Sequence, residues 1–372
     1  MITRLDIENF KAFARQSLPF GNLTLLAGLN GMGKSSAIQV LLLLRQSHEQ
    51  QLLETAGLAL AGELVNIGTA RDALCEGARE DHLSFRLTTD SGIQEWTFRY
   101  DVAEANVLPL QSISGSGNCY SEALFTDSFQ YLNAERVGPR VAFAMSDFVV
   151  RQHRNIGSRG EFAAHLLEFT STLDIASDVL AHPRAKSHKV REQVEAWLGD
   201  ISPGTRIHLD PHNELDLIGV QYSFSGKEAG SNKYRATNVG FGLSYVFPVI
   251  VAILAAREGD LVIIENPEAH IHPRGQVRLG QLLSLASAAG IQVIIETHSD
   301  HVLNGIRLAV HQRLISHEVV KLHYFERADG EGPVRASVST PSIDENGRIT
   351  SWPAGFFDEW DRTLEQLMFP AK

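Results

Sequence analysis

The sequence predicts an α/β fold in which short buried strands deliver loops to a phosphate-binding site. Three stretches carry that expectation. Gly28-Leu29-Asn30-Gly31-Met32-Gly33-Lys34-Ser35 fits the spacing G-x-x-x-x-G-K-[ST] without a mismatch. Leu261-Val262-Ile263-Ile264-Glu265 and Ile291-Gln292-Val293-Ile294-Ile295-Glu296 are apolar runs, rich in β-branched residues, that each end in a carboxylate. Such runs read as strands buried on both faces, the kind a parallel sheet uses. The chain has 372 residues, 44% hydrophobic and 21% charged, which suffices for one large domain or two ordinary ones with a folded core.

Residues 2–28 read as short strands. Ile2, Leu5, Ile7 and Phe10 are apolar, then Phe13 and Leu18, with a turn signal at Gly21-Asn22. Lys11 falls between the first two pieces, where it can reach a nucleotide or stay a surface charge. Leu23 to Ala27 is a strand entering the glycine loop, and 36–45 is apolar and rich in helix formers. Strand, glycine loop and helix together make a phosphate cradle, because glycines let backbone N–H groups converge on oxygens and the helix N-terminus adds partial positive charge. Asn30, Gly31, Met32, Gly33, Lys34, Ser35 and Ser36 are the candidate cradle. Lys34 is expected on the β- and γ-phosphates, and the Ser35 hydroxyl on Mg²⁺. The bland alternative is a glycine turn before a core helix. The lysine, the hydroxyl and both flanks weigh against it.

The helix is expected over 34–60. Alternation at Leu83, Phe85 and Leu87 and then Trp96, Phe98 and Tyr100 predicts a hairpin turning at Asp90-Ser91-Gly92. Ser/Gly-rich 111–121 is expected to be a mobile loop. Residues 129–140 predict a short strand and a turn carrying Arg136 and Arg140, placed to bind phosphate or pair with carboxylates. Helical period covers 160–200, with breaks at Pro183 and Pro203, and 206–236 reads as a second hairpin. Asn238, Gly240 and Gly242 lead into an apolar helix at 246–256, as a second anion-binding end or as a plain glycine-rich helix entry. Glu265 stands where a strand end holds the Mg²⁺ shell, and His298 follows the second acidic strand.

Other features are read as structural. His270 and His272 are expected in a turn rather than on a metal, which needs more ligands. Arg151, His153, Arg154 and Arg159 read as a solvated basic loop. Cys75 and Cys119 form no metal-type pair and suit a reducing compartment. No signal pattern or membrane-length apolar run occurs, so the cytoplasm is the expected location. The net charge of −11 weighs against a broadly basic DNA-coating surface.

Ile2-Thr3-Arg4-Leu5-Asp6-Ile7-Glu8-Asn9-Phe10-Lys11 followed by the glycine loop resembles the SMC/RecF/RecN branch of ABC-type ATPases. Glu265-Asn266-Pro267-Glu268-Ala269-His270-Ile271-His272-Pro273 is similar to the acidic strand of the OLD (overcoming lysogenization defect) ATPases. Tyr131 to Arg140 and Ile349 to Phe357 resemble a bacterial AAA-type subgroup with a small C-terminal domain of unknown function. The resemblance implies a P-loop NTPase with an ABC-ATPase-like head: a mixed-sheet core, an antiparallel β subdomain and a helical insertion. It implies an ATPase domain over 1–325, with an insertion at about 141–236, and a small domain at 326–372 packed on it.

It also implies ATP and Mg²⁺ as cofactors and a homodimer, or higher homo-oligomer, around two nucleotides. Ser35 and Glu265 then hold Mg²⁺. Lys11 falls near a nucleotide-contacting position, His298 matches the switch histidine, and Asn238, Gly240 and Gly242, with Ser244 beside them, face the partner's nucleotide. One departure matters. The family has Asp-Glu where this chain has Glu265-Asn266. An amide cannot take a proton from water near neutral pH, so the base is expected at Glu268, with Glu296 and His298 as alternatives, or turnover is slow. No coiled coil is expected, and the residues after the last core strand are expected to be too few for a Toprim nuclease domain. The expected role is a molecular switch for a separately encoded effector, a nuclease or toxin, in anti-phage defence. A RecF-like DNA-binding ATPase and a slow ATP-bound scaffold are the alternatives. No membrane partner is expected. Trp352, Phe356, Phe357 and Trp360 are expected in a core, and Asp344, Glu345, Asp358, Glu359 and Asp361 in a loop and short terminal helix without a metal site.

Overall fold

The computed structural model describes residues 1–226, 230–328, 335–353 and 355–368, with the backbone alone for 359–362. The chain forms two compact units. The first comprises Met1–Phe125, His298–Asp300 and Val320–Lys372, and the second Thr126–Thr297 and His301–Val319.

The first unit begins with β1 (Ile2–Phe10), β2 (Phe13–Pro19), β3 (Leu23–Gly28) and α1 (Lys34–Glu49). β4 (Gly57–Ala59), α2 (Ala70–Ala73), β5 (His82–Thr89), β6 (Gly92–Arg99) and β7 (Val107–Gly117) follow. An antiparallel sheet runs β2-β1-β5-β6-β7-β4. Leu83, Phe85, Leu87, Trp96 and Phe98 face its core, with the Phe85 ring edge-on to Phe10 at 5.4 Å. The β5–β6 hairpin turns at Asp90-Ser91, as the alternation predicts.

Two expectations fail here. The helix predicted to 60 stops at Glu49, and a strand pairing with β7 occupies 57–59. The Ser/Gly-rich stretch expected as a mobile loop is mostly strand β7. Its glycines are there for close pairing: a Cβ on Gly115 would sit 2.1 Å from the Ile93 carbonyl oxygen, and one on Gly117 2.2 Å from that of Ser91.

The second unit holds β8 (Phe129–Leu132), β9 (Ala142–Ala144), α3 (Ala163–Thr170) and α4 (Val190–Ile201). β10 (Thr205–His212), β11 (Leu217–Phe224), β12 (Tyr234–Arg235) and α5 (Phe241–Ala255) come next. Then come β13 (Leu261–Glu265), α6 (Pro273–Ala288), β14 (Gln292–Glu296) and α7 (Asp300–His311), whose first residue belongs to the first unit. β13 lies between β8 and β14, parallel to both, which explains its unbroken apolar run. β10, β11 and β12 form an antiparallel sheet, with β9 also on β11. The helical reading of 160–200 resolves into two helices with Pro183 between them. The apolar helix begins at Phe241, earlier than expected, so both glycines belong to its entrance.

In the basic cluster Arg151 and Arg159 are exposed, as the solvated reading expects, and Arg154 departs from it. Arg154 is half-buried and donates to the Ala255 carbonyl at the end of α5 at 2.6 Å, Arg151 pairs with Asp147, and Arg159 with Glu135.

The first unit closes with β15 (Val320–Arg327), β16 (Ala336–Ser339) and α8 (Glu359–Leu367). β15 runs parallel to β3 and antiparallel to β16, giving a mixed arrangement beside the glycine loop. Phe356 is fully buried against Tyr324, whereas Trp352 is 41% exposed, contrary to a core role. Phe357 is half-buried. Ala354 and the side chains of Glu359, Trp360 and Asp361 lie outside the described residues. Among the described residues, no helix is long and apolar enough to cross a membrane.

Truncating a fully buried phenylalanine removes its burial and leaves a cavity, so Phe356→Ala should cost about 3–5 kcal/mol in urea unfolding. Trp352→Ala should cost about 1 kcal/mol or less. Equal losses would contradict the assignment of Phe356 as the anchor of the C-terminal segment.

Candidate functional site

In the first unit, β3 is buried until Gly28 and the chain then turns outward, leaving Leu29, Asn30 and Gly31 exposed. Gly28 has φ +137° and lies so close to β15 that a Cβ would meet the Phe325 carbonyl oxygen at 2.1 Å. Gly33 caps α1 in the left-handed region, and its Cβ would enter the Phe13 ring at 2.7 Å. Both positions require glycine for these reasons. The first helical bond runs from the Ala37 amide to the Gly33 carbonyl, so the Lys34, Ser35 and Ser36 amides precede the helical ladder. The first turn of α1 carries no acidic residue to compete for an anion.

Lys34 is buried, and its Nζ donates to the Gly28 and Leu29 carbonyls at 3.0 and 2.8 Å, so its cation rests on the loop itself. Lys11 sits in the β1–β2 turn at φ +49° and donates to Gln39 Oε1 on α1 at 2.9 Å. Burial holds its amine below the usual lysine range, partly offset by Asp72. Thus Lys11 and the loop helix are tied together. His298 is exposed, in the short segment after β14 that belongs to this unit.

In the second unit, Glu265 ends β13 and lies directly across from Glu296 at the end of β14. One Glu265 oxygen accepts from the Tyr131 hydroxyl at 2.9 Å and the other from the Ala134 amide at 3.3 Å. Burial pushes the Glu265 carboxyl up, while these two donors and the Arg136 charge pull it down. Burial and the adjacent carboxylate hold the Tyr131 phenol well above its ordinary range. Arg136 is 1% exposed and donates to the main-chain carbonyls of Asn133, Glu265 and Asn266. Its hydrogen-bond partners among the described residues are main-chain carbonyls rather than the carboxylate oxygens that the turn's arginines are expected to pair with. Burial lowers its pKa to about 10, which still leaves it a cation near neutral pH.

Asn266 lies at φ +44°, with its amide donating to the Glu296 carbonyl at 2.7 Å. Asparagine tolerates the left-handed region better than glutamate does, which gives a backbone reason for an amide here. Its Oδ1 is buried without a hydrogen-bond partner among the described residues, as is Asn133 Oδ1. The Glu268 carbonyl accepts from the Ile271 amide as the chain turns back.

Gly240 caps α5, and Asn238 and Gly240 are exposed. Gly242 has a packing reason: a Cβ there would lie 2.5 Å from the His270 carbonyl oxygen. Asn238, Gly240, Tyr234, Phe224, His270 and His272 help line a cleft of about 440 Å³ beside this entrance. His272 Nδ1 accepts from the Arg274 amide as the cap of α6, and the His270 ring packs on Tyr245 at 4.7 Å, so both sit in a structural turn. Among the described residues, no cluster of three or more His, Cys, Asp or Glu could hold a metal ion.

The first unit therefore groups Asn30 to Ser36 with Lys11, and the second groups Glu265, Asn266, Glu268 and Glu296, with Asn238, Gly240 and Gly242 at the entrance of α5. Sequence reasoning missed Tyr131, the Ala134 amide and Gln39 as partners of these groups. Tyr131 stands one strand over from the acid in a quoted motif, which is the available signal. A backbone amide and a half-buried glutamine leave none.

A family model described as "AAA domain, putative AbiEii toxin, Type IV TA system" matches residues 23–304. The chain belongs to that AAA-domain family. A second model, a protein family of unknown function (DUF3696), matches residues 315–367. An OLD nuclease of Thermus scotoductus is 22% identical over 338 residues, covering 80% of this chain and 59% of its own length, so the chain spans little more than half of that relative. An SMC head solved with the C-winged helix domain of ScpA superposes with TM-score 0.52 at 13% identity, over 92% of this chain and 98% of that one. It shows that the fold is SMC-head-like. The SMC head domain of Thermotoga maritima gives TM-score 0.45 at 12% identity, over 92% and 99% of the two chains. The chain is therefore an AAA-domain protein with an SMC-head-like fold and a C-terminal segment that matches the family of unknown function.

Removing the Tyr131 hydroxyl takes away a donor that favours ionised Glu265. The midpoint of Glu265, already raised by burial, should therefore rise further in Tyr131→Phe. Carboxyl NMR of glutamate-labelled protein, with Glu265→Gln to assign the signal, reads this out. An unchanged or lower midpoint would contradict the contact.

Proposed function

We propose that the chain binds Mg²⁺-ATP at the glycine loop, hydrolyses it, and acts as a dimeric nucleotide-governed switch for a separately encoded effector in anti-phage defence. The observation that carries the ATP reading is Lys34: a buried lysine whose Nζ donates to the Gly28 and Leu29 carbonyls of the glycine loop, at the start of a helix with no acid in its first turn. Asn30 to Ser36 would take the phosphates. Ser35 and Glu265 would hold Mg²⁺, whose chemistry is to neutralise charge on the phosphate oxygens. The buried Asn266 Oδ1 and the burial-raised Glu265 fit a cation or an ordered water there.

Within this reading, Lys34 draws the phosphates onto the loop amides, and Glu268 takes the proton of the attacking water. Asn266 can orient that water but cannot accept its proton. This supports a second reading, a slow ATP-bound scaffold, which the left-handed backbone at Asn266 favours because it suits an amide over a glutamate. The defence role rests on the family description, which names a putative AbiEii toxin of a Type IV TA system. The net charge and the engagement of Arg151, Arg154 and Arg159 with neighbouring groups weigh against a DNA clamp.

Phosphate release and ATP binding test the reading on one set of variants. Lys34→Ala should weaken ATP binding about 30-fold or more, the loss of a charge-assisted contact. Glu265→Gln should keep ATP binding and lose about 100-fold in turnover. Full turnover in Glu268→Gln would remove Glu268 as the base. Wild-type ATP affinity in Lys34→Ala would overturn the site.

A further inference from the structure

Arg136 is a buried charge spent on backbone. Its guanidinium spans the Asn133 carbonyl after β8 and the Glu265 and Asn266 carbonyls at the end of β13, and its Nε has no hydrogen-bond partner among the described residues. Burying a charge is costly; the nearby Glu268 and Glu265 charges favour the cation, but among the described residues its hydrogen bonds go to carbonyls, so its placement calls for a reason beyond packing. Its Cζ lies over the Tyr245 ring, 5.9 Å from the ring centre, on the first turns of α5. Gly138, just past the arginine, also lies against that ring, 3.8 Å from where its Cβ would be. Tyr245 in turn packs on His270, in the loop that follows the acidic strand. The entrance of α5 and the end of β13 therefore share one cation.

We propose that Arg136 is a positioning residue that couples the entrance of α5 to Glu265 and Asn266, so that displacement of α5 is felt at the acidic strand end. The proposal rests on the functional reading above, because its output is the Mg²⁺-ATP chemistry assigned to Glu265. Lysine in place of arginine keeps the charge but cannot fork to three carbonyls or present a flat face to the ring.

The test compares wild type, Arg136→Lys, Tyr245→Leu and the double variant. Four quantities are read: ATP affinity without Mg²⁺, Mg²⁺ half-saturation of the ATP-bound protein by calorimetry, kcat and KM. Metal-free ATP affinity and KM should stay near wild type. In Arg136→Lys, Mg²⁺ half-saturation should rise and kcat fall by about 10-fold, the usual effect of losing an outer-shell support. Tyr245→Leu should move both in the same direction by less, and the double variant should add little, as expected for two parts of one relay. If Arg136→Lys does not fold, the half-buried Tyr245→Leu decides alone. Unchanged Mg²⁺ half-saturation and kcat in the folded variants, or fully multiplicative effects in the double variant, would overturn the coupling. A wild-type chain that binds no ATP would overturn the functional reading and the coupling with it.

Discussion

The end of β13 is held from behind by one buried cation. A carboxylate at the tip of a buried strand, followed by a residue in the left-handed region, is a costly arrangement that its surroundings must fix. Here Tyr131 and the Ala134 amide hold the Glu265 side chain, while Arg136 holds the carbonyls of Glu265 and Asn266. The strand to one side supplies the tyrosine. The strand to the other supplies the Glu296 carbonyl that receives the Asn266 amide. The parallel arrangement of the three strands is what allows side chain and backbone to be fixed from both flanks.

The glycine loop solves the opposite problem. Its tip must be open to a ligand, and its base must be immovable. Gly28 and Gly33 fix the base by lying against Phe325 and Phe13 where no side chain fits, and Gly31 at the tip meets nothing within 4 Å of where its Cβ would be. Lys34 bridges the two regimes, buried along its stem with its amine on the loop carbonyls. Held on those carbonyls, the amine is oriented at the loop that an incoming phosphate would meet.

Much of this was legible in the sequence because the relevant spacing has a mechanism. The glycine loop, its flanking strand and helix, and the two acid-ended strands could be read from residue types alone. The rest was hidden for physical reasons. Ser/Gly composition over 111–117 signals a loop, yet glycines there permit strands to approach within a Cβ's reach. A helix reading over 34–60 cannot see that Gly57 pairs with β7. The arginine turn after β8 gave a charge but not its target, because an arginine that binds carbonyls leaves no periodic trace. The asparagine after Glu265 looked like a lost base, and only its positive φ supplied a backbone reason for the choice. The small C-terminal segment divided as well: its aromatic cluster buries Phe356 and leaves Trp352 largely out.

The account centres on a nucleotide that governs assembly, and the solution mass of the wild-type chain with and without Mg²⁺-ATP tests that most directly. The account predicts a monomer without nucleotide and a dimer with it, reverting when the nucleotide is removed. The same mass under both conditions would contradict it, and the effector would then have to be controlled through a pre-formed assembly.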